Sequence, residues 1–134
     1  MPSRILIVDD DPDVTLFLST ILEDNGYSTD RARNGIEALD LIRNSAPDLI
    51  LLDLMMPQKS GISLLSDLRR DKALMEIPIV MVTGVTGETG IDLDAFLRRS
   101  EDAAQGRPPL HIEAYLEKPV DPDRLLKCVR EILN

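Results

Sequence analysis

The 134-residue sequence has no tryptophan, is only 3% aromatic, and carries a single cysteine and a single histidine. One thiol cannot form an internal disulfide, so the fold must rest on its apolar core, and the composition suits a reducing compartment. So few rings leave little material for a base-stacking platform. Basic residues are also short, with 15 Lys and Arg against 24 Asp and Glu and a net charge of −9. A field of that sign repels phosphate backbones, which argues against direct nucleic acid binding. The longest apolar runs, 5–8 and 49–52, are far below the roughly 20 residues of a membrane span. The N-terminus, MPSRILIVDD, runs into acids where a secretory leader would have a small-residue cleavage site. These absences predict a cytoplasmic protein with no membrane insertion.

Length and a 43% hydrophobic content fit one globular domain over 1–134. Apolar runs alternate with helical patterns, the expected trace of a parallel sheet covered by helices on both faces. Strands are predicted at 5–8, 27–32, 49–52, 79–82 and 114–116. Those at 5–8, 49–52 and 79–82 are almost purely Ile, Leu, Val and Met, as central strands buried on both faces should be. The second is more polar and suits an edge. Val14, Phe17, Leu18 and Ile21 follow the spacing of a core-facing helix, opened by Asp11 and Pro12 and ended at Gly26. Similar patterns recur over 35–45, at Leu64, Leu65 and Leu68, and at Leu125, Cys128, Val129 and Ile132, where Cys128 is read as a core residue. The stretch from 84 to 112 is longer than one connecting helix requires. It predicts one helix near 91–104, lengthened or displaced, with Arg98, Arg99 and Arg107 adding local basic surface.

Chemistry collects where strands end. The first strand runs directly into Asp9, Asp10 and Asp11, and two carboxylates about 4 Å apart repel by roughly 4 kcal/mol at an effective dielectric near 20. Asp11 is read as a helix N-cap. For Asp9 and Asp10, a retained proton, exposure to water or a cation must offset the repulsion. In an open parallel sheet the ligand site lies outside the carboxyl ends of the strands. Those ends supply Asp9 and Asp10, then Asp53, Thr83 and Lys118. Three carboxylates, a hydroxyl and an ammonium on one rim suit a hard divalent cation, such as Mg²⁺, together with a phosphoryl group. The glycine-rich GVTGETG stretch lacks the Gly-Lys-Ser/Thr ending of a P-loop, and His111, near Pro109, has no Cys or acid spacing around it that would make a zinc site.

VDDDP, LLDLMMPQKSG, VMVTG and YLEKP, in that order along nearly the whole chain, resemble the landmarks of the receiver domain of two-component response regulators. Asp53, Met56, Pro57 and Gly61 fit that family's D-x-x-M-P-x-x-x-G segment. The resemblance implies a flavodoxin-like (βα)5 fold, a doubly wound five-stranded parallel sheet in the order 2-1-3-4-5, here with an enlarged segment between strands four and five. It implies that Asp53 accepts a phosphoryl group from a sensor histidine kinase or phosphotransfer protein, in a Mg²⁺-dependent reaction that is the chain's own modification rather than turnover of a separate substrate. Asp10 would be the principal metal ligand, Asp9 would act mainly through water, and Asp53 and the Met55 carbonyl would complete the protein's share. Lys118 and Thr83 would contact the phosphoryl group, the Lys118–Pro119 peptide would be cis, and Thr83 with Tyr115 would form the conformational switch. Two other readings stand beside this one. One is a docking module of the same fold that works without phosphorylation, against which the intact acid set argues. The other is a flavodoxin-like electron carrier, which would need an uncharged Ser/Thr-rich first loop where DDDP stands.

Overall fold

The computed structural model describes residues 3–53, 61–84 and 112–133. Its elements are β1 (Arg4–Val8), α1 (Pro12–Asp24), β2 (Ser28–Ala32), α2 (Gly35–Asn44), β3 (Leu49–Leu52), α3 (Gly61–Arg70), β4 (Ile79–Thr83), β5 (Ala114–Glu117) and α4 (Pro122–Leu133). All strand pairs are parallel, and the order is β2-β1-β3-β4-β5. This is the doubly wound, flavodoxin-like arrangement expected from the sequence. The predicted helix near 91–104, with Arg98, Arg99 and Arg107, lies outside the described residues, as do Met55, Met56, Pro57 and His111.

Side chains alternate across the central strands, so each apolar run feeds two cores. Leu6 and Val8 of β1, Ile50 and Leu52 of β3, and Ile79 and Met81 of β4 pack with Ala38 and Ile42 of α2 and Leu64, Leu65 and Leu68 of α3. Ile5, Ile7, Leu49, Leu51, Val80 and Val82 point the other way, to Leu18 and Leu22 of α1 and Leu125 and Val129 of α4. The polar β2 is an edge strand with only Ala32 fully buried. Cys128 packs half-buried against the second cluster, and burial followed by the neighbouring Glu131 pushes its thiol pKa up.

Helix ends follow local chemistry. Asp11 caps α1, its side chain accepting from the Asp13 amide at 2.9 Å, and Pro12 opens the first turn. At the other end Asn25 is the C-cap. The Gly26 amide donates to Glu23 and the Tyr27 amide to Leu22, at 3.2 and 3.0 Å. That pair is a Schellman closure, and it needs the left-handed φ of +91° at Gly26. Asn34 caps α2 by accepting from the Glu37 amide at 2.8 Å. The return into β5 is held by Glu113, whose amide donates to the Ile79 carbonyl while its carboxylate accepts the Ile79 amide at 2.5 Å. Arg69 of α3 donates to the Met75 and Ile77 carbonyls and pairs with Glu113 at 3.4 Å. Burial lowers the Arg69 pKa despite the opposing pull of Glu113.

One expectation is corrected. Phe17 is 45% exposed, and the fully buried side of α1 is Thr15, Leu18, Ser19 and Leu22, with Val14 and Ile21 at its margins. Both sets obey helical spacing. The polar pair Thr15 and Ser19 is accommodated because each hydroxyl donates to a carbonyl three residues back.

Three outcomes check these assignments. Leu18→Ala should cost about 2–5 kcal/mol and Phe17→Ala under about 1 kcal/mol in urea denaturation, because only the first leaves a buried void. Gly26→Ala should cost roughly 1–2 kcal/mol by the same measurement, from backbone strain alone, since an added Cβ there meets nothing within 4 Å. Iodoacetamide should label Cys128 more slowly in the native protein than in the urea-unfolded chain at mildly alkaline pH, because the raised native pKa keeps the thiol neutral.

Candidate functional site

The hydrogen-bond ladder of a parallel sheet carries on one residue past the strands and sets two acids side by side. The Asp9 amide donates to the Ala32 carbonyl at 3.0 Å, and the Asp53 amide donates to the Val8 carbonyl at 2.9 Å. Asp9 therefore ends β1 and Asp53 ends β3 on the same edge of adjacent strands. Both are buried, at 2% and 5% exposure, while Asp10 faces solvent. Carboxylate oxygens of Asp9, Asp10 and Asp53 all lie within 4.8 Å of one another. A set of hard oxygen donors at that spacing fits Mg²⁺.

Lys118 follows β5, where the Lys118–Pro119 peptide is cis. Its Nζ lies 2.8 Å from Asp9 Oδ2 and 3.6 Å from Asp53 Oδ1. The second oxygen of Asp9, Oδ1, accepts the Asp11 amide at 2.9 Å. One ammonium and one backbone dipole thus offset much of the repulsion that the sequence posed as a problem. Burial pulls the Lys118 pKa down, but Asp9 and Asp53 together outweigh it and hold the value above the ordinary 10.5. The sign follows directly: the stabilisation from these ion pairs is complete below the unfolded lysine pKa and is lost as pH rises through the higher folded value.

Thr83 is the last residue of β4, in register with Glu117 of β5; its hydroxyl lies outside what the structure describes. Gly84 passes close to the stem of Lys118, where a Cβ would meet Lys118 Cβ at 3.9 Å. Tyr115 stands on β5 opposite Met81, 52% exposed, and with Lys118, Asp121 and Arg124 lines a hollow of about 460 Å³. Gly61 is the first residue of α3. The structure thus brings Asp9, Asp10, Asp53 and Lys118 together, puts Thr83 and Tyr115 on the neighbouring strands, and leaves Met55 and Pro57 outside the described residues.

Sequence reasoning missed the role of Phe17. With Val14, Leu18, Pro119 and Val120 it walls an apolar groove of about 510 Å³ that Lys118 also lines. The only signal in the sequence was a helical stripe wider than the core could use: Leu16 and Phe17 are both exposed apolar residues on α1.

The comparisons agree with this geometry. Residues 5–130 match the model of the response regulator receiver domain. The polar-differentiation response regulator DivK of Brucella anthropi is 35% identical over 134 residues, covering all of this chain and 98% of the relative. Response regulator Rre1 of Synechocystis is 37% identical over 98% of this chain, which spans about half (52%) of that protein's length. Among solved structures, the Vibrio cholerae chemotaxis protein CheY4 superposes with a TM-score of 0.77 at 28% identity, over 99% of this chain and all of the other. A family model that spans nearly the whole chain, on a fold whose acid-lined rim stands where the sequence placed it, shows that the protein belongs to the receiver domain family of two-component response regulators.

Proposed function

We propose that residues 1–134 form one receiver domain that works as a phosphorylatable switch, with Asp53 as the acceptor. The observation that carries this is the placement of Lys118 Nζ between two buried carboxylates, 2.8 Å from Asp9 and 3.6 Å from Asp53, beside the exposed Asp10. Phosphoryl transfer asks a protein mainly for positioning and charge stabilisation. A buried nucleophile with a fixed ammonium beside it supplies both.

In this reading an Asp53 oxygen attacks the phosphorus of a phosphohistidine on a sensor kinase or phosphotransfer protein. The P–O bond forms as the P–N bond breaks, and the imidazole leaves with the electron pair. Lys118 pairs with a phosphoryl oxygen, Thr83 donates its hydroxyl to another, and water later hydrolyses the acyl phosphate. Mg²⁺ held by Asp10, Asp53 and the Met55 carbonyl, with Asp9 behind, would supply further neutralisation of the transferring oxygens. Exposure of Asp10 and burial of Asp9, whose Oδ1 accepts the Asp11 amide and whose Oδ2 lies 2.8 Å from Lys118 Nζ, favour Asp10 as the direct ligand. Tyr115, half-exposed on β5 next to the Thr83 strand, is the candidate readout element whose equilibrium the phosphate would bias. The reaction is the chain's own modification and its reversal, as expected of a signalling regulator.

Two measurements test the assignment. Incubation with acetyl phosphate and Mg²⁺ should raise the intact mass by one phosphoryl group, and Asp53→Asn should remove that gain; equal labelling of both proteins would exclude Asp53 as the acceptor. Mg²⁺ should also raise the melting temperature, by an amount equivalent to about 2.7 kcal/mol at a concentration 100-fold above its Kd, and Asp10→Ala should abolish the rise.

A further inference from the structure

Burial specifies the register of β5 less firmly than that of the central strands. None of its four residues is fully buried, whereas every residue of β3 is. Ala114 and Leu116 rest partly buried on the second core, and a slip of one residue would trade them for Tyr115 and Glu117. Side chains hold the point where β5 begins. Glu113 grips both polar groups of Ile79: its amide donates to the Ile79 carbonyl at 2.9 Å, and its Oε2 accepts the Ile79 amide at 2.5 Å. The same Oε2 lies 3.4 Å from Arg69 Nη2, while Arg69 Nη1 donates to the Met75 and Ile77 carbonyls at 2.6 and 2.9 Å. One guanidinium thus refers the start of β4 and the start of β5 to the last turn of α3. The clasp is shielded from water, with side-chain exposures of 11% for Arg69 and 26% for Glu113.

We propose that Arg69 and Glu113 are positioning residues for the phosphorylation site at the other end of the sheet: their ion pair fixes the register of β5 on β4, and so the height of Tyr115 relative to Thr83. The proposal rests on reading Asp53 as the acceptor and Thr83 as a contact of its phosphoryl group. Thr83 stands four residues beyond Ile79 on β4, about 13 Å along the strand at roughly 3.3 Å per residue, so the clasp acts through the strands and not by contact. A slip of one residue would carry the end of β5 by about 3.3 Å, and a misplacement of about 1 Å is enough to slow a positioned reaction. The coupling is reciprocal: if the closed clasp favours the loaded site, loading favours the closed clasp by the same factor. A clasp that only stabilises the fold makes a different prediction. Its loss would lower the melting temperature and leave both the β4–β5 register and the labelling rate unchanged.

The experiment follows the initial rate of phosphoryl incorporation from acetyl phosphate and Mg²⁺, by intact mass, in the full-length wild type, Glu113→Gln, Arg69→Met and the double variant. Glu113→Gln keeps the shape of the side chain and removes its charge, and Arg69→Met keeps much of the stem. Each should slow labelling about tenfold, and the double variant should be no slower than the slower single, because the two residues act as one clasp. Cross-strand nuclear Overhauser contacts should weaken or shift between β4 and β5 while those between β1 and β3 stay. Labelling at the wild-type rate in both single variants overturns the proposal and leaves Asp53 as the acceptor; slower labelling with the β4–β5 contacts unchanged overturns it as well. No labelling of the wild type overturns the acceptor reading and this proposal with it. A second measurement needs no variant. The Ile79 amide and Arg69 Nε resonances of the wild type should shift as beryllium fluoride and Mg²⁺ saturate the site; resonances unmoved at saturation overturn the proposal even if the variants do not fold.

Discussion

Two carboxylates buried at the ends of adjacent strands need a counter-charge, and much of the site is arranged around supplying one. Asp9 and Asp53 are carried into the interior by the same sheet ladder that buries Ile5 to Val8 and Leu49 to Leu52, so their position is a consequence of strand pairing. Lys118 reaches them from the far edge strand and meets both. Truncating either side of such a set leaves charge buried without compensation, which costs far more than an exposed ion pair is worth. The exposed pair of Arg33, just before α2, and Glu37 in its first turn, at 3.5 Å, shows the contrast. It lies away from the chemistry and carries little energy.

The same sheet also positions the residues proposed to form the switch. β4 and β5 are neighbours in register from Val80 with Ala114 to Thr83 with Glu117, so Thr83 and Tyr115 belong to one paired unit, and Lys118 follows it directly beside the acids. The bottom of that unit is tied down by Arg69 and Glu113, while its top carries the functional groups. In the proposed switch, this unit, anchored at one end, would carry a change in charge to the exposed face that Tyr115 presents.

Much of this was legible in the linear chain, because parallel strands buried on both faces must be continuously apolar and their ends must carry the polar chemistry. The runs at β1, β3 and β4, the polar edge at β2, the Asp11 cap and the acid, hydroxyl and lysine at successive strand ends all follow from that constraint. Phe17 was misread for an equally physical reason. Helical spacing identifies a stripe, but α1 offers two overlapping stripes, and only the position of the sheet beneath chooses Leu18 and Leu22 over Phe17. Asn25 and Gly26 show the same limit at a smaller scale. Glycine marked the helix end, yet the closure needed Tyr27 to donate back to Leu22, a contact that packing confirms.

The order of apolar runs and strand-end residues along the chain determined the fold class, the strand order through its family resemblance, and which residues stand at the strand ends. Distances and burial belong to the tertiary structure. That Asp9 is sealed while Asp10 is open, and that Lys118 sits nearer Asp9 than Asp53, depends on how residues from opposite ends of the chain pack around the strand ends. Local sequence specifies the direction of a side chain from its own backbone. It cannot specify the competition between one ammonium and several carboxylates, because that balance is struck only when segments more than a hundred residues apart are brought within a few ångströms and shielded from water.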